Sequence, residues 1–181
     1  MKTKNELRQF AKETRKKLDI ESISEKIVLN LKNTIEYKSA HKILCYNSFD
    51  TEVTTKSIIN DSSKQIYLPR VEKDLLEVCL HDPNKMQISN YGIHEPTNEC
   101  LRDLSYLELI IVPGLAFTKE GVRLGYGKGF YDRLFVTPTC CAKRIGLVPD
   151  ALLLDYIPCD LHDQKCDIIV TESRVINTKN I

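Results

Sequence analysis

The chain has 181 residues, 42% of them hydrophobic, with 26 Lys plus Arg against 25 Asp plus Glu. That charge balance argues against a dedicated nucleic-acid binder, which carries a strongly basic face, and no apolar run approaches a membrane span. The length suits a single domain over 1–181 with a substantial core, and the polar first residues, with Glu6 and Glu13, fit neither a secretory signal nor a typical transit peptide.

Residues 2–18 are predicted to form an amphipathic helix, with Leu7, Phe10, Ala11, Thr14 and Leu18 facing a core. Lys4, Arg8, Lys12 and Arg15 fall one turn apart on a neighbouring face. Taken alone, such a stripe reads as a solvated basic edge; that Lys4 and Arg8 reach a phosphate is the alternative. A second helix is expected over 22–33, with Ser22 and Glu25 in capping-box spacing. Residues 42–49 are strand-like, and a polar connection leads to a helix at 54–60. Glu52 therefore falls beyond a strand's carboxyl end, where open α/β sheets bind ligands, although a carboxylate there also suits a helix start.

Strands at 65–69 and 75–80 are expected to form a hairpin across 72–74. Residues 91–96 read as a loop, in which His94 and Glu95 are expected to be solvated. A buried strand at 109–112 is closed by Pro113-Gly114, a helix is expected to begin at 130–135 and to end at Thr137-Pro-Thr139, and strands come at 143–148 and 167–171. Strands alternating with helices, without repeat or linker, imply a three-layer α/β fold.

The seven Cys are odd in number, with no Cys-x-x-Cys and one adjacent pair, as expected of free thiols in a reducing cytoplasm. Cys159, His162 and Cys166 supply too few ligands for structural zinc and read as ordinary packing.

The most informative stretch is 121–133, Gly-Val-Arg-Leu-Gly-Tyr-Gly-Lys-Gly-Phe-Tyr-Asp-Arg, which holds four of the seven glycines. It is not a Walker A loop, because Gly129 rather than Ser or Thr follows Lys128. Nor is it a dinucleotide fingerprint, because it starts several residues after the strand with Gly-x-Gly-x-Gly spacing. Gly125, Gly127 and Gly129 allow close approach of backbone N–H groups to an anion. Lys128 adds a point charge, Asp132 suits a divalent cation, and Tyr126, Phe130 and Tyr131 offer flat surfaces to a planar ring. The plainer alternative is a glycine-rich turn filled by its own aromatics.

The run Val112-Pro-Gly-Leu-Ala-Phe117, then Arg123 through Arg133, resembles the signature of the 5-formyltetrahydrofolate cyclo-ligases, also called methenyltetrahydrofolate synthetases. Lys4-x-x-Leu7-Arg8, Glu52-Val53-x-Thr55, Gly92-x-x-Glu95-Pro96 and His162-Asp163-x-x-x-Asp167 follow in the family's order, so the resemblance spans nearly the whole chain. It implies a Rossmann-like, mostly parallel sheet covered by helices on both faces. It also implies an enzyme that uses ATP and Mg²⁺ to convert 5-formyltetrahydrofolate to 5,10-methenyltetrahydrofolate, ADP and phosphate, through a phosphorylated formyl group (an imidate phosphate).

Carried onto this chain, the resemblance assigns ATP binding to Lys4, Arg8, Arg123, Leu124, Gly125, Gly127, Lys128, Gly129 and Tyr131. Folate binding falls to Asn47, Glu52, Tyr126, Gly127, Lys128, Gly129 and Phe130. Lys128, Tyr126, Phe130 and Tyr131 would border the reacting nitrogens, and Asp132 and Asp163 would ligate Mg²⁺. Some members carry Arg and Tyr where this chain has Tyr126 and Phe130. A cytoplasmic monomer is expected, acting on the folate with or without a polyglutamate tail and on neither nucleic acid nor membrane. Two other readings compete: a sugar-phosphate isomerase or CoA-transferase-like protein that needs no ATP, and a catalytically silent folate- or nucleotide-binding module.

Overall fold

A computed structural model of the chain describes residues 2–89 and 92–180. Helix α1 (Lys4–Arg15) begins where Thr3 and Glu6 cap each other, the Thr3 hydroxyl accepting from the Glu6 amide and the Glu6 carboxylate accepting from the Thr3 amide. Its buried positions are Leu7, Ala11 and Arg15. Two expectations fail on this helix. Phe10 is exposed, with the Lys2 ammonium over its ring, and Arg15, expected at a solvated edge, is buried. The buried stripe follows strict i, i+4 spacing, which carries Arg15 inward and leaves Phe10 beside it. Helix α2 (Ile20–Asn33) is capped by Asp19, which accepts from the Ser22 amide, rather than by Ser22. Ser22 already lies in the first turn. A short α3 (Ile35–Ser39) follows from the Thr34 cap.

The central sheet begins with β1 (Lys42–Leu44), shorter than expected. The Thr55 hydroxyl donates to the Tyr46 carbonyl and accepts from the Ser48 amide, which folds the chain away from the ladder into a loop. That loop ends at α4 (Lys56–Ile59). The hairpin of β2 (Gln65–Glu72) and β3 (Leu75–Leu80) forms as anticipated. With β6 (Leu109–Val112), β9 (Lys143–Leu147), β11 (Ile168–Val170) and β12 (Val175–Asn177) the seven-strand order is β12-β11-β9-β6-β1-β2-β3. The inner pairings are parallel, and β3 and β12 are antiparallel edges. The mostly parallel α/β fold is as expected.

Alternate strand residues feed two cores. Ile43, Leu109, Ile111, Ile145, Ile168 and Val170 pack under α2, α3 and α4. Leu44, Ile110, Val112 and Ile169 pack under α1, under α5 (Phe130–Phe135) and against a small sheet. That sheet has the order β10-β7-β8, from β7 (Ala116–Thr118), β8 (Arg123–Leu124) and β10 (Leu153–Leu154). These strands, and the ribbon of β4 (Met86–Ile88) with β5 (His94–Pro96), are too short to show a period. Tyr91 of the expected loop lies outside the described residues. His94 is exposed, but Glu95 is buried and accepts from the Val71 amide, because neighbouring strand residues point to opposite sides.

The thiol expectation also needs correction. Cys79 of β3 stands opposite Cys100 in an antiparallel bridge, and the two form a disulfide, leaving Cys45, Cys140, Cys141, Cys159 and Cys166 free. The pairing is tertiary, between residues 21 apart, so no spacing motif announces it. Among the described residues no helix is long and apolar enough to cross a membrane.

Candidate active site

A cavity of about 830 Å³ opens at the carboxyl ends of β1 and β6, within the size range of ligand pockets. Every residue that the resemblance assigns to ATP, folate or Mg²⁺ borders it: Lys4 and Arg8 from α1, Asn47 and Glu52 from the loop after β1, Arg123 through Asp132, and Asp163.

The glycine-rich stretch does not float as a loop. Arg123 and Leu124 are β8, paired to β7, and the chain turns through Gly127 (φ 102°) and Gly129 (φ 68°) into α5. Both angles lie in the left-handed region that suits glycine. The Arg8 guanidinium packs against Gly127, and its Nε donates to the Gly125 carbonyl at 3.0 Å. Arg123 is held from two sides, donating to the Asp132 carboxylate at 2.8 Å and to the Pro113 carbonyl at 3.3 Å. Its guanidinium lies 5.6 Å from the centre of the Tyr131 ring. The Arg133 guanidinium covers the Phe130 ring and donates to the Lys128 carbonyl.

Glu52 and Tyr126 meet across 74 residues of sequence: the Tyr126 hydroxyl donates to Glu52 Oε1 at 2.9 Å. Glu52 Oε2 accepts from the Phe49 amide at 3.0 Å. Burial pushes the Glu52 carboxyl above its usual range, against the opposing pull of those two hydrogen bonds and of Arg15. Burial and the Glu52 charge together raise the Tyr126 phenol. Tyr131 is raised by burial, and its hydroxyl is buried without a partner among the described residues. Asn47 donates to the His94 carbonyl at 3.2 Å and so ties the loop after β1 to β5.

At the other end, Lys4 Nζ sits between Asp160 (2.6 Å) and Asp163 (2.5 Å). Burial works to lower the Lys4 pKa, but the two carboxylates outweigh it and raise it. For Asp163 burial works upward, and the Lys4 ammonium and the Asp160 amide carry the carboxyl below its usual range.

Sequence reasoning missed several neighbours. Asp160 shares Lys4 with Asp163, and Lys12 and Lys16 extend the α1 stripe along the cavity. Val71, Leu76, Ile93 and Glu95 form a wall from the hairpin and the ribbon. The i, i+4 spacing from Lys4 to Lys16 was the available signal for the lysines. The wall had none, since β4 and β5 are too short to read.

The donor set suits magnesium bound together with phosphate. Asp132 and Asp163 are hard oxygen donors on one cavity, and Asp163 Oδ1 carries no protein hydrogen bond among the described residues. Among the described residues neither belongs to a group of three ligands placed to hold an ion unaided; the one such group there, Glu77, Cys79 and Cys100, has its sulfurs joined in the disulfide. One or two carboxylates plus ligand oxygens is the usual coordination of Mg²⁺. Arg8, Lys12, Lys16 and Lys128 on the same wall suit a polyanion such as a nucleoside triphosphate.

Fold and site together define an α/β protein with a basic, carboxylate-bearing cleft at the switch region of a parallel sheet. The family model described as the 5-formyltetrahydrofolate cyclo-ligase family matches residues 1–172, and the chain belongs to that family of ligases. It is 32% identical over 147 residues to the 5-formyltetrahydrofolate cyclo-ligase of Escherichia coli, covering 75% of this chain and 80% of that one. Against the Mus musculus 5-formyltetrahydrofolate cyclo-ligase the identity is 30% over 157 residues, 76% of each chain. The solved structure of Aquifex aeolicus 5,10-methenyltetrahydrofolate synthetase superposes with a TM-score of 0.86 at 31% identity, over 97% of this chain and 93% of that one. A Mycoplasma pneumoniae 5,10-methenyltetrahydrofolate synthetase shares the fold, with a TM-score of 0.73 at 21% identity, over 93% of this chain and 98% of that one.

Proposed function

We propose that this chain is a cytoplasmic, single-domain, monomeric enzyme that converts 5-formyltetrahydrofolate, with or without a polyglutamate tail, to 5,10-methenyltetrahydrofolate, consuming ATP in the presence of Mg²⁺. The observation that carries the reading is convergence. The cationic face of α1, the glycine-rich stretch and the Glu52–Tyr126 pair are distant in sequence but border one cavity.

In this reading the formyl oxygen attacks the γ-phosphorus of ATP and ADP leaves. N10 then attacks the formyl carbon, loses its proton, and phosphate departs as the ring closes. Such chemistry asks the protein for positioning and charge neutralisation more than for covalent work. Lys4, Arg8, Lys128 and the backbone amides around Gly127 and Gly129 hold the phosphates, with Arg123, Leu124, Gly125 and Tyr131 completing that end. Asp132 and Asp163 would hold a magnesium ion, which when bound neutralises phosphate charge. Ionised Glu52 accepts hydrogen bonds from a pterin's amino and ring N–H donors, and Asn47 flanks it. Tyr126, Phe130 and Tyr131 border the reacting nitrogens and exclude water.

The test is direct. Purified protein given 5-formyltetrahydrofolate, ATP and Mg²⁺ is expected to develop the absorbance of the methenyl product with one ADP released per turnover. A well-folded sample that yields neither chromophore nor ADP would refute the assignment.

A further inference from the structure

Arg15 does not line the cavity, yet it is 1% exposed and lies directly behind the cavity wall. Nη1 donates to the Thr51 carbonyl at 3.3 Å, Nη2 donates to the Gly114 carbonyl at 2.5 Å, and Nε is buried without a partner. Among the described residues it forms no ion pair. A buried guanidinium without a paired carboxylate is costly, and an apolar side chain of similar length packs there at lower cost.

Its two carbonyl partners belong to the two loops that build the site. Thr51 immediately precedes Glu52, in the loop after β1. Gly114 follows Pro113, whose carbonyl takes Arg123, at the end of β6. One guanidinium therefore bridges the loops that follow two neighbouring strands of the sheet, β1 and β6. The groups facing Glu52 are the Tyr126 hydroxyl from the glycine-rich stretch, Tyr46 from the loop after β1, Tyr131 from α5, the Asp50 carboxylate on its own loop, and Arg15. Asp50 opposes the Glu52 charge and Arg15 favours it.

We infer that Arg15 is a positioning residue for the folate end of the site: from behind the wall it holds the 50–52 and 113–114 loops together and sets a buried positive charge beside the loop that carries Glu52. The inference rests on the reading of Glu52 as the pterin's acceptor. It predicts that charge and hydrogen-bonding capacity at position 15 act separately. Glutamine keeps donors for a carbonyl but removes the charge, and lysine keeps the charge but loses the fork.

The experiment measures kcat/KM for 5-formyltetrahydrofolate and KM for ATP across pH, with thermal melts, for Arg15→Gln, Arg15→Lys and Glu52→Gln. In Arg15→Gln the acid limb of the folate kcat/KM is expected to move up by about one pH unit, a roughly tenfold loss at the acid end that closes towards alkaline pH. The ATP KM should stay within about twofold. Arg15→Lys should keep its acid limb in place and lose folate kcat/KM evenly across pH. If Arg15→Gln is only uniformly slower, with its limb unmoved, Arg15 is a structural strut and the inference fails. Should Arg15→Gln not fold, Arg15→Lys decides. A raised folate KM with an unchanged ATP KM supports the inference, and equal losses for both substrates overturn it. Glu52→Gln separates the two possible failures. A parental profile there removes the reading of Glu52 and the inference with it; a lost limb there, beside an unmoved one in Arg15→Gln, overturns the inference alone.

Discussion

The two faces of the central sheet are built differently. Under α2, α3 and α4 the core is mostly hydrocarbon, with Ile27, Leu31, Ile43, Ile58, Leu109, Ile111 and Ile145 fully buried, and the hydroxyls buried there, such as Tyr46 on the Val53 carbonyl and Thr55 on the Tyr46 carbonyl, are hydrogen-bonded. Under α1, α5 and the three short strands, the core around Phe117 and Leu115 also takes in charged and polar groups. Arg15 Nε, Arg123 Nε and the Tyr131 hydroxyl are all left there without hydrogen-bond partners. One face therefore supplies stability from hydrophobic burial, while the other accepts incompletely satisfied groups beside the cavity. Strain of that kind at a site, offset by packing elsewhere, is what a binding function requires.

Substitutions on the two faces should separate cleanly. The largest effect is expected from Leu31→Ala, which empties a fully buried site and should cost about 3 kcal/mol in denaturant unfolding, with both KM values unchanged at temperatures where it is folded. An altered KM would mean that the faces are coupled. Across the sheet, Asp132→Asn should lower turnover by on the order of a hundredfold at temperatures where it is folded, and because it leaves the buried Arg123 guanidinium without its carboxylate it should also lower the melting temperature. Unchanged Mg²⁺ dependence in that variant would remove Asp132 from the metal site. Lys4→Ala should raise the ATP KM by about tenfold and the folate KM little. It also leaves Asp160 and Asp163 without their shared cation. An unaltered ATP KM would return α1 to a solvated basic edge.

A smaller effect is expected from Glu52→Gln on stability. The folded Glu52 pKa stands above the ordinary 4.5, so the folded chain holds this proton more tightly than the unfolded chain does. Stability from this group is full below that ordinary value and is lost as pH rises through the folded value. Glutamine never ionises, so the variant should melt above the parent at about pH 8 and level with it at about pH 4. Equal melting temperatures at both would show that Glu52 is not desolvated. Finally, mass spectrometry after alkylation of the denatured chain should find five labelled thiols without reductant and seven with it. Seven in both would show the Cys79–Cys100 bond absent under the isolation conditions.

Legibility in the sequence followed the same division. Strands β3 and β6 came out with their observed bounds and helix α5 with its observed start, because apolar runs with Gly or Pro punctuation register locally. The cap of α2 was misplaced by three residues, from Asp19 to Ser22, because both sites offer plausible capping chemistry. The elements that escaped notice, β4, β5, β7, β8, β10 and β12, run two or three residues each and get their order from partners far along the chain. Phe10 and Arg15 exchanged places for a related reason. Hydrophobicity favours burying the aromatic, but carbonyl partners at Thr51 and Gly114 exist only once the loops are folded.

The sequence by itself determined the alternation that makes an α/β sheet, the glycine-rich motif and the family it signals. It also determined several of the polar side chains that border the cavity, Lys4, Arg8, Glu52, Lys128, Asp132 and Asp163 among them, since motif residues carry their chemistry wherever they are placed. Only the tertiary structure decided how those residues meet. It set Tyr126 against Glu52, Lys4 between two aspartates, Cys79 opposite Cys100, and a buried arginine between the loops after β1 and β6. Each of these contacts joins segments from 21 to 159 residues apart, and contacts of that range are fixed by packing of the whole chain and leave no local pattern.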